Sequence, residues 1–163
     1  MAIQSLTSGG ITWLHACRPS AEELSELQTT YKFHSLDLED CVSETERPKI
    51  EDYGNYLFFV FHFPVVDRKS GKVWKEELQV FLGDTFIITL PDGQESRISA
   101  LWEAAKASPE KCAELLGQGT GHFFYRVMHD VFDGVFPLID DVSRELRKIE
   151  AELFESEENA DFL

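Results

Sequence analysis

At 163 residues the chain is long enough for one domain with a sizeable core and an appended element. With 43% hydrophobic and 12% aromatic residues it is globular, which excludes a disordered chain. Its 30 acids against 15 bases leave a formal charge of −15, the wrong sign for nucleic-acid binding, and favour cations or basic partners.

In chain order, Ile11–Ala16 is predicted to be a short strand. Ser20-Ala-Glu-Glu23 is a capping box, and the helix it opens carries Leu24, Leu27 and Tyr31 on one face. A second, short helix is expected from Ser35. Tyr56–Val66 is too evenly apolar for a half-exposed strand and reads as a central one covered on both faces. Its apolar run Tyr56–Phe63 is interrupted by His62, ends at Pro64, and is far short of the ~18–20 residues that span a bilayer. A turn at residues 68–72 leads into Val73–Leu82, and Gly83-Asp84 turns the chain again into Phe86–Leu90, giving three antiparallel strands in succession.

The second half reads as helical. Asp92…Glu95 is a further capping box before the face Ile98, Leu101, Trp102, Ala105. Ser108-Pro109 repeats the helix-start signal, Gly117 stops that helix, and Gly117-Gln-Gly119-Thr-Gly121 is a linker. From about residue 121, Phe123, Val127, Val131, Val135, Leu138, Val142, Leu146, Ile149 and Leu153 form one apolar stripe on a helix of about 30 residues. Pro137 lacks an N–H and predicts a bend near Asp133–Pro137. The fold class is α/β (α+β): a mixed, partly antiparallel sheet flanked by helices over 1–120, then the start of a long C-terminal helix over 121–163. The acid-rich stretch Glu150–Asp161 suggests a chain that stops partway along that helix.

The stretch of greatest chemical interest is HSLDLEDCVSETERPKIEDYGNY, residues 34–56. If residues 36–44 are helical, Asp37, Asp40 and Glu44 share one face, with Leu38, Cys41 and Val42 toward the core. Like charges three and four apart repel, and a divalent cation would turn that repulsion into attraction. Oxygen donors without His or Cys point to Mg2+ or Ca2+ rather than Zn2+. A solvated acidic face remains the alternative. Cys17, Cys41 and Cys112, without a CxxC, read as reduced core residues. His15, His34, His62, His122 and His129 show neither HxH nor HExxH spacing and read as structural or surface residues.

The run Leu38-Glu39-Asp40, then Arg47-Pro48-Lys49-Ile50-Glu51, then Asn55-Tyr56 before an apolar strand resembles the cytoplasmic domain of the CorA family of magnesium and cobalt channels. The Thr12-Trp13 strand, the hairpin and the closing long helix follow in the family's order. The resemblance implies a metal-sensing regulatory domain of a homopentameric cation channel at the inner face of the cell membrane, not an enzyme. The family's membrane helices and pore-mouth Gly-Met-Asn lie outside this sequence, so the fragment is expected to be monomeric or weakly associated. Glu39 and Asp40 correspond to the acidic pair that binds regulatory Mg2+ against the next subunit's stalk and favours the closed state, with Co2+ or another divalent cation second to Mg2+. The acid that completes this site would lie beyond Leu163. A second ion would fall at His129, where the family often has an acid, and Asp130, one position and about 100° further round the helix. The alternatives are a related zinc transporter, or a free-standing metal-dependent enzyme using Asp37, Asp40 and a histidine.

Overall fold

A computed structural model describes residues 3–42, 47–66, 71–93 and 96–160, with side chains described through residue 154. It divides into two compact units, Met1–Val131 and Phe132–Leu163.

The first unit opens with a hairpin, β1 (Gln4–Ser8) and β2 (Ile11–His15). Gly9 and Gly10 join them with φ of 60° and 81°, the left-handed pair a two-residue hairpin turn requires. The Ser20 capping box forms as expected at the head of α1 (Ala21–Tyr31): Ser20 Oγ accepts from Glu23 N, and Glu23 Oε2 accepts from Ser20 N at 2.7 Å. Then come α2 (Ser35–Asp40), β3 (Lys49–Asp52), β4 (Tyr56–Val66), β5 (Val73–Gly83) and β6 (Phe86–Pro91). The sheet order is β1-β2-β6-β5-β4-β3, with β2–β6 parallel and every other pair antiparallel. The mixed sheet and the three successive antiparallel strands match the sequence reading. β4 does not lie at the centre, however: the charged strand β3 pairs outside it, and β5 and β6 hold the middle.

Side chains alternating through the sheet feed two cores. On one face Phe58, Val60, Phe81, Ile88 and Leu90 pack with Leu24, Leu27, Phe33 and Leu38 from the α1–α2 region. On the other, Trp13 is fully buried, its ring 4.8 Å from Trp102 and 4.7 Å from Phe123, while Phe59 meets Phe124 at 4.6 Å. Each such large apolar side chain stabilises the fold by about 1.5–3 kcal/mol. Trp102 belongs to α3 (Arg97–Ala107), and α4 (Pro109–Leu116) and α5 (Thr120–Asp133) complete this layer. The cap of α3 is Ser96, whose hydroxyl accepts from Ser99 N, and not Asp92. Asp92 instead serves the sheet, accepting from Glu77 N at 3.0 Å. Ser108 and Pro109 start α4 and Gly117 ends it, as read.

The helix expected from residue 121, with a bend near Asp133–Pro137, is two helices that part within that stretch. α5 stops at Asp133, Gly134 and Val135 form a turn, and α6 (Phe136–Ala160) follows. Val135 N bonds back only three residues, to Phe132 O, and Leu138 N likewise to Val135 O. Gly134 relaxes the helix and Pro137 has no N–H to restore the bond to Asp133 O, so the break precedes the proline. Phe123, Val127 and Val131 are buried in the first unit, whereas Val142, Leu146, Ile149 and Leu153 on α6 are exposed.

Candidate metal site

α2 is only six residues long, too short to persist on its own helical hydrogen bonds, so tertiary contacts must hold it. The main one runs through Asp37, which is buried, 1% exposed. Its carboxylate accepts from Tyr53 Oη and from Tyr56 Oη, each at 2.8 Å, and Tyr56 Oη accepts in turn from His34 N at 2.9 Å. The Tyr53 ring stacks between His34 and Tyr56, with centroids at 5.6 and 4.7 Å. Burial raises the Asp37 carboxyl above its ordinary range, and the two phenol hydrogen bonds only partly offset this. Burial, and then the Asp37 carboxylate, push the Tyr53 phenol up to about 12. The face expected to join Asp37, Asp40 and Glu44 is therefore not a surface stripe. Asp37 points into the fold, and Glu44 lies outside the described residues, as does Glu46. An enzyme site built on Asp37 and Asp40 loses Asp37, whose two carboxylate oxygens are already engaged by phenols.

With Asp37 turned inward, the next turn of the helix faces out. Glu39 is exposed and borders a shallow groove of about 270 Å³ with Ser25 and Gln28 of α1. Asp40 is half-buried, and its Oδ2 pairs with Lys49 Nζ from β3. Cys41 tucks back to Asp37 O at 3.1 Å, while Val42, expected in the core, is 60% exposed because the helix ends before it. Glu39 and Asp40 thus offer hard oxygen donors at one corner of the domain. That donor chemistry fits a hydrated Mg2+, which needs only one or two carboxylates and keeps several waters. Among the described residues no three His, Cys, Asp or Glu side chains converge on a common point, so the pair is at most part of a coordination shell.

The other pair is placed elsewhere. His129 and Asp130 are exposed near the end of α5, beside a recess of about 190 Å³ that they share with Leu101, Leu115 and Arg126. Arg97 donates to the Asp130 carbonyl at 3.3 Å, and Tyr125 lies 5.9 Å from the His129 ring. Arg126 itself pairs with Glu114 at 3.1 Å, so guanidinium groups stand near this pair as the Lys49 ammonium stands at Asp40.

Of the other histidines, His15 is built into the core. Its Nδ1 bonds Thr89 Oγ1 at 2.9 Å, its ring stacks on Trp102, and burial lowers its pKa to about 4. Sequence reasoning missed the Tyr53–Asp37–Tyr56 clamp and the Lys49–Asp40 pair. A signal for the first was present, since Asp37 is one turn before Cys41 and adjacent to Leu38, placing it beside the apolar face.

The family model "CorA-like Mg2+ transporter protein" matches residues 8–163. In Bacillus subtilis (strain 168), the protein named "Putative metal ion transporter YfjQ" is 30% identical over 138 residues, 85% of this chain and 41% of that relative. Among solved structures, the soluble domain of CorA from Methanocaldococcus jannaschii aligns with a TM-score of 0.67 at 18% identity, covering 89% of this chain and 56% of that one. The complete CorA magnesium transporter of the same organism aligns at 0.64 and 16% identity, covering 88% and 44%. At such identities the structural likeness shows the fold, a mixed sheet with flanking helices that ends in a long helix. The chain belongs to the CorA-like Mg2+ transporter family. It spans 41% of the length of the Bacillus relative, and among the described residues no helix is long and apolar enough to cross a membrane.

Proposed function

We propose that this chain is the cytoplasmic, metal-sensing part of a divalent-cation channel, and that Glu39 and Asp40 form half of a regulatory Mg2+ site completed by a neighbouring subunit. The observation that carries this reading is the sorting of acids on α2: Asp37 is buried, while Glu39 is exposed and Asp40 half-buried beside it. Glu39 and Asp40 would hold the ion largely through its waters, and the ion would supply positive charge that joins two acidic surfaces. With 30 acids against 15 bases, neighbouring copies of this chain repel, and a shared cation offsets that repulsion. Filled sites then hold the subunits together and favour the closed state. Emptied sites release them. A pentamer is the assembly this reading carries, and Mg2+ the cargo, with Co2+ second. His129 and Asp130 are a weaker candidate for a second ion, since His129 stands where the family often has an acid.

The test is Asp40→Asn in the full-length protein and in this 163-residue chain. Asp40 is half-buried and paired with Lys49, so the isosteric change gives up an ion pair at a cost of about 1 kcal/mol, and the fold should hold. In the full-length protein Mg2+ should lose its protection against proteolysis, and gating should shift toward open at high internal Mg2+. In the short chain the change should do nothing to Mg2+ response, because two carboxylates alone bind Mg2+ poorly in water. Unchanged Mg2+ protection in the full-length variant would sink the reading.

A further inference from the structure

Asp40 does not stand bare on α2. Its Oδ2 is paired with Lys49 Nζ, and the two side chains are 13% and 28% exposed. Lys49 is no loose surface lysine. It lies in strand β3, in register with Val60 of β4, and its ammonium sits 5.7 Å from the ring centroid of the fully buried Phe58. The strand fixes the start of the stem, and the aromatic face favours a cation at its end. The ammonium is therefore delivered to the same carboxylate that the divalent ion would use.

We propose that Lys49 is a tethered competitor at the Glu39–Asp40 site: it neutralises Asp40 while the ion is absent and sets the Mg2+ concentration at which the ion can bind. This inference rests on the divalent-site reading above. The physical argument is one of charge. With Lys49 on Asp40 that pair is neutral, and of the two proposed ligands Glu39 alone keeps its net charge for an approaching cation. An incoming ion must either lever the ammonium away, losing the ion pair and its contact with Phe58, or bind beside it against like-charge repulsion. A monovalent ion that displaced the ammonium would replace one unit charge by another and gain nothing. A divalent ion brings a second charge that Glu39 can share. One lysine thus weakens the site and biases it toward divalent ions.

The test is made on the full-length protein, following the Mg2+ concentration that half-protects it from limited proteolysis, with thermal melting in EDTA as a control for folding. Lys49→Gln removes the charge and should lower the half-protective concentration about fivefold, the value of a partly exposed ion pair. Lys49→Arg keeps the charge and should leave that concentration at or above the parent's, which separates charge from packing. The arginine variant also decides the matter if the glutamine variant melts early: a fall in its half-protective concentration overturns the proposal. So does a Lys49→Gln protein with an unchanged or raised concentration. Glu39→Gln and Asp40→Asn distinguish the two levels of failure. If they abolish protection while Lys49→Gln moves nothing, the competitor is wrong and the site stands. If they too move nothing, the site itself is wrong and the competitor falls with it.

Discussion

Replacing Asp37 by alanine tests whether α2 is held from beneath. The carboxylate is 1% exposed and accepts two phenol hydrogen bonds at 2.8 Å. Hydrogen bonds to a charged group contribute about 1.5–3 kcal/mol each. Burying the charge already costs part of that, as the raised carboxyl pKa shows, so the lower end applies to each bond. Tyr53 is 37% exposed and can turn its hydroxyl to water, whereas Tyr56 is 4% exposed and would keep an orphaned donor in the core. The net loss should be about 3 kcal/mol, a large share of the 5–15 kcal/mol of an ordinary domain. Urea unfolding at pH 7, followed by the fluorescence of buried Trp13 and Trp102, should show a midpoint lower by about 1–2 M. Asp37→Asn keeps the shape and one acceptor and should cost about half as much. It should also flatten a pH dependence. Because the folded state holds the Asp37 proton more tightly than the unfolded chain does, the proton-linked part of the stability, separate from the phenol hydrogen bonds, is fully present below the ordinary aspartate value of 3.8 and is lost as pH rises through the raised one. An Asp37→Ala protein within 0.5 kcal/mol of the parent would refute the clamp, and with it the reason Glu39 and Asp40 face outward.

Burial lowers the pKa of His15 from 6.5 to about 4, so stability present above pH 6.5 should fall by about 3 kcal/mol as the pH drops toward 4. His15→Gln should remove most of that slope, and a pH–stability profile that matches the parent's over this range would contradict it. Gly117→Ala should destabilise by about 1–3 kcal/mol although its φ of −69° suits alanine, because the new Cβ would lie 2.6 Å from the carbonyl oxygen of Ala113. Thermal melting checks this, and an unchanged or higher midpoint would show that the helix end gives way easily. Ser20→Ala should cost about 1 kcal/mol through loss of the reciprocal cap on α1, measurable in the same melts.

The elements that the sequence made legible were those whose chemistry is local or periodic: the Ser20 box, the Ser108-Pro109 start, and the long apolar strands β4 and β5. The two missed strands are both sheet edges. Gln4–Ser8 is largely polar and Lys49–Asp52 is KIED, and charge on an edge strand blunts self-pairing but hides the strand from any hydrophobic pattern. Asp92 was misread as a cap because Asp suits that position equally well, and only the fold shows that it bonds Glu77 N. At the candidate site, the donor types and the acids Asp37, Asp40 and Glu44 were legible from spacing, while Glu39 came from the resemblance alone. The roles of their neighbours were not. Asp37 counted as one more surface acid until Tyr53 and Tyr56, 16 and 19 positions on, were seen to close over it. Lys49 acquires its meaning from its pairing with Asp40, nine positions earlier.

The central claim, that Glu39 and Asp40 hold a regulatory divalent ion between subunits, is tested most directly by diffraction from crystals of the full-length protein grown in Mn2+, a Mg2+ stand-in with an anomalous signal. An anomalous peak should appear beside the two carboxylates, facing the neighbouring subunit, and disappear in Asp40→Asn crystals. Well-ordered Glu39 and Asp40 side chains with no peak between them and the adjacent subunit, in crystals that bind Mn2+ elsewhere, would contradict it.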